Sequence, residues 1–203
     1  METMKSNVNS NIRVLHALPK APNVDFYGNG LLIAKDIAFS KISQYFSLTP
    51  GTYKFQIFKT GFYDTPLYTQ TLTLRGGDYF TISIVSLGGQ TYFFILRDDN
   101  SQASKPPSFL RFINLSPNSP LLSLSLPNSN SPLFNAVEYL ETTNYYKLSS
   151  GIYNFQVNIA SDQIITKFIR NITLDNKKLY TIYIIGLFNS DPRLGYLFVQ
   201  DGK

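Results

Sequence analysis

The chain has 203 residues, of which 43% are hydrophobic and only 15% are charged, and its formal net charge is +5. The apolar fraction is large enough for a folded core and excludes the composition of intrinsically disordered proteins. Lysines and arginines are scattered singly, with Lys177-Lys178 as the one adjacent basic pair. A nucleic-acid interface needs a basic stripe or patch, so we expect no nucleic-acid partner.

We expect neither thiol chemistry nor a targeting or membrane-spanning segment from this sequence. It has no cysteine, which removes disulfides, cysteine–zinc sites and thiol nucleophiles. The opening METMKSNVNSN lacks the apolar core of a secretory signal, and no apolar run approaches the roughly 18 residues that span a bilayer. We therefore expect that the chain has no signal peptide, is synthesised in the cytosol and does not insert into a membrane. Deposition on a spore or cell surface is compatible with these expectations.

In chain order, the elements read as short strands cut by turns. RVLHALP leads into a proline-bracketed loop and the turn YGNG, and TYKFQIF and YFTISIVSL then alternate with period two. After the polar stretch DDNSQASKPPS, the segments LLSLSLP, IYNFQVNI and LYTIYIIGL continue the same pattern. Turn signals recur about every 8–12 residues, which is typical of β-sandwiches.

The sequence also contains an internal duplication. GTYKFQ at 51–56 returns as GIYNFQ at 151–156, and residues 71–87 align with 171–187 at the same offset. Upstream, Arg13, Pro19 and Pro22 fall on Arg111, Pro117 and Pro120. The sequence therefore predicts an all-β chain of two tandem immunoglobulin-like β-sandwich domains, at 11–98 and 108–201, joined by a proline-containing linker at 99–107.

His16 is the only histidine, and its repeat counterpart is Asn114. Histidine and asparagine share a side-chain N–H donor but not general-base chemistry near neutral pH. We therefore interpret His16 and Asn114 as structural pins of the loops that follow them. Tyr53 and Tyr153, each two residues after a glycine, are predicted to form tyrosine corners, in which the hydroxyl bonds a nearby backbone carbonyl.

Three acidic residues, Asp25, Asp98 and Asp99, are expected to lie in loops or on solvated faces rather than in a metal site. Asp98 and Asp99 begin the linker and are expected to be solvated, because no calcium-loop spacing surrounds them. Asp25 alternates with Val24 and Phe26, so it should face away from the core, where it pairs with Arg13 or caps a loop. Its replacement by Ser123 in the second repeat argues against a site shared by both domains.

The aromatic content is high, with 14 tyrosines, 16 phenylalanines and no tryptophan. Exposed tyrosine offers a large contact area at a small entropic cost, which suits protein interfaces. Six tyrosines are difficult to bury all at once and are the predicted interface residues: Tyr45, Tyr63, Tyr68, Tyr92, Tyr145 and Tyr146.

The N-terminal motif resembles the DUF4397 family, a bacterial domain of unknown function. The matching positions are Arg13, His16, Pro19, Ala21, Pro22, Val24, Asp25, Tyr27, Gly30, Pro50, Gly51 and Tyr53. The second repeat keeps part of this pattern, so the resemblance predicts two tandem copies. It implies a β-sandwich, often at a cell surface, and no reaction.

These features favour a non-enzymatic structural or interaction protein that self-assembles at a bacterial cell or spore surface, as a coat or appendage component. Its partners would be itself or other surface proteins, in a homo-oligomer or filament. A monomeric adhesion or glycan-binding module is the alternative. No nucleophile–base pair, phosphate loop or metal-ligand spacing is present, so we expect no catalytic, cofactor-binding or metal residues.

Overall fold

A computed structural model of the chain describes residues 8–98, 107–161 and 164–202. All its regular elements are β-strands, and it divides into two compact units, Met1–Asp98 and Asp99–Lys203. Each unit contains two four-stranded sheets. The prediction of an all-β chain with two β-sandwiches is therefore confirmed.

The first unit contains eight strands. One sheet has the order β4-β1-β7-β8 and the other has the order β3-β2-β5-β6. The strands are β1 (Ser10–His16), β2 (Val24–Gly28), β3 (Leu31–Ile37), β4 (Phe46–Leu48), β5 (Gly51–Lys59), β6 (Tyr68–Leu74), β7 (Tyr79–Leu87) and β8 (Gln90–Asp98).

The second unit repeats this plan with the sheet orders β12-β9-β15-β16 and β11-β10-β13-β14. Its strands are β9 (Ser108–Asn114), β10 (Leu122–Ser125), β11 (Phe134–Val137), β12 (Tyr146–Leu148), β13 (Gly151–Ile159), β14 (Ile165–Leu174), β15 (Leu179–Ile185) and β16 (Gly195–Asp201). The predicted linker 99–107 lies outside the described residues except for Pro107.

The core of each unit comes from the alternation seen in the sequence. Side chains at every second position of a strand point to the same face, so Phe55 and Ile57 of β5 meet Phe26 of β2 in the first core. Phe155 and Val157 occupy the same positions in the second core. Burying one such side chain contributes about 1.5–3 kcal/mol, and this burial holds the two sheets of each sandwich together.

One pairing was not predicted from the sequence. In each unit the first strand runs parallel to the seventh, so Arg13 of β1 lies beside Thr81 of β7, and Arg111 of β9 lies beside Thr181 of β15. Parallel neighbours need a long connection, which five intervening strands provide. This pairing aligns the polar side chains described below.

Among the described residues, no helix is long and apolar enough to cross a membrane.

Candidate functional site

The first unit holds a group of four polar side chains that we call the first polar cluster: the buried Arg13, Thr81 and Asp98 and the half-buried Tyr45. Arg13 Nε donates to Thr81 Oγ1 at 2.8 Å, and Thr81 Oγ1 donates to Asp98 Oδ2 at 2.6 Å. The Tyr45 hydroxyl donates to the same carboxylate oxygen at 2.7 Å. Arg13 Nη2 lies 3.7 Å from Asp98 Oδ2, and the Arg13 guanidinium lies 4.6 Å from the centre of the Tyr45 ring.

The second unit rebuilds this arrangement from Arg111, Tyr145, Thr181 and Asp201, the second polar cluster. Arg111 Nε donates to Thr181 Oγ1 at 3.0 Å, and Tyr145 donates to Asp201 Oδ2 at 2.8 Å. Thr181 Oγ1 also donates to Asp201 Oδ2. Arg111 Nη2 lies 3.5 Å from that oxygen. The two sandwiches therefore share a four-residue polar core element.

Asp98 corrects a sequence-based expectation. It was predicted to be a solvated linker start, but only 3% of its surface is exposed and its carboxylate is the acceptor of the first polar cluster. The reason is that β8 extends to Asp98, which pairs with Tyr79 of β7 and faces Thr81. Its neighbour Asp99 lies outside the described residues.

In both polar clusters, further hydrogen bonds accompany the ion pair. A buried ion pair is tolerated only when further hydrogen bonds satisfy it, as the threonine and tyrosine hydroxyls do here. The donors come from distant parts of the chain, so the first cluster ties β1, β7, β8 and the segment before β4 together.

The predicted loop pins are both buried. His16 Nε2 lies 3.0 Å from the Pro22 carbonyl oxygen, and this contact spans the proline-bracketed loop. Asn114 Nδ2 donates to Ser119 Oγ at 2.9 Å, and Asn114 Oδ1 accepts from the Ser116 backbone N–H at 3.0 Å. Both side chains therefore contact the loop that follows their strand, although histidine reaches further along it.

Burial of His16 determines how the stability of the first unit changes with pH. Desolvation lowers the pKa of His16 below 6.5, outweighing the hydrogen bond to Pro22, which favours the charged ring. The unfolded chain then binds the proton more readily than the folded one, so stability is full above about pH 6.5 and falls as pH decreases below it. Calorimetric melting temperatures between pH 8 and 5 should show this loss, and His16→Asn should remove the histidine contribution. An unchanged pH dependence in that variant would contradict it.

Tyr53 and Tyr153 make equivalent contacts. The Tyr53 hydroxyl donates to the Thr49 carbonyl at 3.0 Å, and the Tyr153 hydroxyl donates to the Ser149 carbonyl at 2.9 Å. Their rings stack on Phe55 and Phe155. In each unit this contact closes the turn that precedes the fifth strand.

Asp25 also departs from expectation. It lies on the face away from the core, as its alternation predicts, yet it is fully buried. Of its two expected roles, its bonds are those of a loop cap rather than of a pair with Arg13. Asp25 Oδ1 accepts from the Asp36 backbone N–H at 2.7 Å and from Thr60 at 3.0 Å, and Asp25 Oδ2 accepts from the Tyr63 hydroxyl at 2.6 Å. Burial acts to raise the pKa of Asp25, but the bonds from Tyr63, Asp36 and Thr60 outweigh it, with the positive charge of Lys35 adding to them, and the pKa is lowered.

Tyr63 belongs to an aromatic cluster with Tyr27 and Phe58 on the outer face of the first unit. Ring centres lie 5.3 Å apart for Tyr27 and Phe58, 6.1 Å for Tyr27 and Tyr63, and 6.0 Å for Phe58 and Tyr63. The hydrogen bond to Asp25 raises the pKa of Tyr63, so its hydroxyl stays a donor. The carboxylate thus holds one ring of this aromatic cluster in place.

Among the described residues of the second unit, no equivalent aromatic cluster is found. Ser123 replaces Asp25, and its hydroxyl oxygen accepts the corresponding bond, from the Ala136 backbone N–H at 3.0 Å. Asp36 and Ala136 both have a left-handed backbone, with φ of 53° and 52°. Ser125 and Asn158 stand where Tyr27 and Phe58 would be. The bond to the left-handed residue is therefore common to both units, and in the part of the chain that the structure describes the aromatic cluster occurs in the first unit alone.

The six predicted interface tyrosines have diverse surroundings. The hydroxyls of Tyr45, Tyr145 and Tyr63 are bonded to carboxylates within their own unit. Tyr68 and Tyr92 are half-buried and pack against one another, with ring centres 5.7 Å apart. Tyr63 and Tyr146 are 47% and 45% exposed. An interface role stays a prediction, and it now rests mainly on this last pair.

Across residues 8–98, 107–161 and 164–202, no three His, Asp or Glu side chains come together as a metal site would require.

Comparison with protein families adds one finding. The model described as "Domain of unknown function (DUF4397)" matches residues 10–125. The chain belongs to the DUF4397 family. The match spans all strands of the first sandwich and continues through β9 and β10. No curated protein matches the chain.

The DUF4397 match contains the first polar cluster, His16, Tyr53 and the aromatic cluster. It ends at residue 125, inside the second sandwich. That the second sandwich is also a DUF4397 domain remains a proposal, which the repeated strand order and the second polar cluster support.

Proposed function

We propose that this DUF4397 protein is a non-enzymatic structural or interaction protein that self-assembles. The observation that carries the proposal is that the charged and titratable side chains named below are buried, whereas large apolar side chains are exposed. Charged or titratable side chains such as Arg13, His16, Asp25 and Asp98 are buried and make hydrogen bonds within their own sandwich. The exposed groups that stand out are large and apolar.

The apolar exposure is extensive. Leu31 is 74% exposed, Ile152 is 72% exposed and Phe62 is 63% exposed. Other side chains more than 40% exposed include Val8, Leu32, Leu67, Leu87, Leu121, Ile164, Ile165 and Phe168. Contiguous apolar patches mark interaction surfaces in folded proteins, and exposed apolar side chains adjoin along the chain at Leu31–Leu32 and at Ile164–Ile165.

The charge composition favours association as well. Only 15% of residues are charged, so the repulsion that keeps soluble proteins apart is weak. The absence of cysteine means that assembly would rest on non-covalent contacts.

Sedimentation velocity of the untagged full-length protein tests self-assembly directly. Across a hundredfold concentration series, we expect the sedimentation coefficient to rise well above that of one chain. A single species of 23.0 kDa at every concentration would contradict the proposal.

We further propose a bacterial cell or spore surface as the site of assembly, in a coat or an appendage. The support is the resemblance noted above, since DUF4397 domains often occur in a cell-surface setting. Immunogold labelling of intact cells and spores of the source bacterium tests the location. Label confined to the cell interior would contradict it.

A glycan-binding module is the second candidate, favoured by the aromatic cluster. Tyr63 is held by Asp25 and half exposed, and a ring fixed before binding loses little entropy when a ligand stacks on it. Co-sedimentation with insoluble cell-wall polysaccharide tests this candidate, with Tyr63→Ala as the variant expected to lose binding and Tyr146→Ala as the control. Equal retention of both variants would contradict it.

A further inference from the structure

We propose that copies of this chain join by β-strand addition at the edges formed by β8 and β16. This inference rests on the proposed self-assembly and names the surface that carries it. β8 and β16 are the outermost strands of corresponding sheets in the two units, and each pairs with one neighbour among the described strands, β7 or β15. The open side of an edge strand presents N–H and C=O groups that fit one kind of partner, another strand.

Most other edges are protected in ways that natural sheets use against such pairing. β4 and β12 have three residues each. β3 and β11 are interrupted by register shifts and by the left-handed Asp36 and Ala136. β14 has register shifts, the left-handed Asn171 and two cationic side chains, Lys167 and Arg170. Short length, bulges and charges all discourage edge-to-edge contacts.

β8 and β16 have none of these protections over most of their length. β8 pairs with β7 at nine consecutive positions without a register shift, and β16 pairs with β15 at seven. Residues 90–96 of β8 and 195–200 of β16 include no charged residue and no proline. Both stretches are rich in aromatic and β-branched residues, which have high strand propensity. A long, regular and uncharged edge is a predicted site of strand pairing.

β6 is a third regular edge and provides a useful contrast. It pairs with β5 without a register shift and carries no charge, but its counterpart β14 is interrupted. Among the described strands, β8 and β16 thus form the edge that is regular in both units and pairs with a single neighbour. Two open edges on one chain allow each copy to contact two neighbours, which is the condition for a filament.

A second copy is the occupant that best fits these edges. The partner strand must place no charge opposite residues 90–96 or 195–200, because an unpaired charge would lose its hydration there. The uncharged stretch of β16 satisfies this requirement as a partner for β8, and the uncharged stretch of β8 satisfies it as a partner for β16. With the outer faces of the two sheets aligned, this pairing sets Tyr92 and Phe94 near Leu197 and Val199, because Tyr196 and Phe198 face the core of the second sandwich. Cross-strand pairs of aromatic and β-branched side chains stabilise a sheet.

Lysine substitutions at the two edges test the inference in the full-length protein. Phe94 and Leu197 are half-buried edge side chains at corresponding positions, paired with Ser83 and Tyr183. We expect F94K/L197K to shift the concentration for half-assembly upward by at least tenfold, with each single substitution giving a smaller shift. Thr71→Lys, on the regular edge of β6, is the matched control and is expected to assemble like the unmodified protein.

Hydrogen exchange of the unmodified protein gives a readout independent of how well the variants fold. Backbone amides of β8 and β16 should exchange at least tenfold more slowly in the assembled form than in dilute solution, with β3 and β11 unchanged. Assembly that persists in folded F94K/L197K, or exchange that is unchanged at β8 and β16, overturns the edge assignment and leaves self-assembly standing. A chain that stays monomeric at all concentrations overturns both.

Discussion

Replacing Asp98 with alanine is expected to destabilise the first sandwich by about 3–5 kcal/mol, the range measured when one partner of a buried ion pair is removed. The substitution strips the acceptor from Thr81 and Tyr45 and leaves the buried Arg13 guanidinium without its carboxylate. Urea unfolding followed by far-ultraviolet circular dichroism measures the loss. For a domain of this size, 1 kcal/mol corresponds to about 4–8 °C in melting temperature. The melting temperature of the first sandwich should therefore fall by well over ~10 °C.

The duplication provides the matched control for Asp98→Ala. Asp201→Ala makes the same change in the second polar cluster and should destabilise the second sandwich by a similar amount. Asp64→Ala removes an exposed carboxylate from the first sandwich and should have little effect. A loss below about 1 kcal/mol in both cluster variants would mean that the two polar clusters contribute little to stability.

His16→Ala is expected to destabilise the first sandwich by about 1–3 kcal/mol, because it removes a fully buried side chain together with its hydrogen bond to the Pro22 carbonyl. His16→Asn should lose less, since Asn114 occupies the corresponding position of the second sandwich and bonds its own loop. Thermal unfolding of both variants at pH 8 separates this effect from protonation. Equal losses in the two variants would contradict the role of His16 as a loop pin.

The fold was accessible from the sequence because its signals are local and repeated. Period-two alternation in segments such as TYKFQIF fixes which side chains face the core, and glycine and proline turns fix where strands end. The offset of 100 residues between the two GxYxFQ motifs revealed the duplication. The parallel pairing of β1 with β7 was missed, because no local pattern distinguishes it from an antiparallel neighbour.

The polar clusters were missed for a different reason. Their members lie far apart in sequence, and strand pairing alone brings Arg13 and Thr81 together. A signal was nevertheless present: Arg13, Tyr45 and Thr81 each have an identical counterpart, Arg111, Tyr145 and Thr181. Asp98 corresponds to Asp201 at an offset of 103 rather than 100, since the loop between β15 and β16 is longer than the turn between β7 and β8. Because of this different offset, the repeat alignment does not match Asp98 with Asp201, the fourth residue of each polar cluster.

Asp25 shows the limit of alternation as a guide to exposure. Period two correctly places it on the face opposite Phe26, but the segment after β5 folds over that face and brings Thr60 and Tyr63 onto its carboxylate. Loop paths depend on contacts that a strand pattern does not encode. The aromatic cluster was missed for the same reason.

The central claim is self-assembly, and negative-stain electron microscopy of concentrated, untagged full-length protein tests it most directly. We expect filaments or sheets in the unmodified protein and their loss in F94K/L197K. Fields that contain nothing but single-chain particles at high concentration would contradict the claim, and binding to polysaccharide would then become the leading hypothesis.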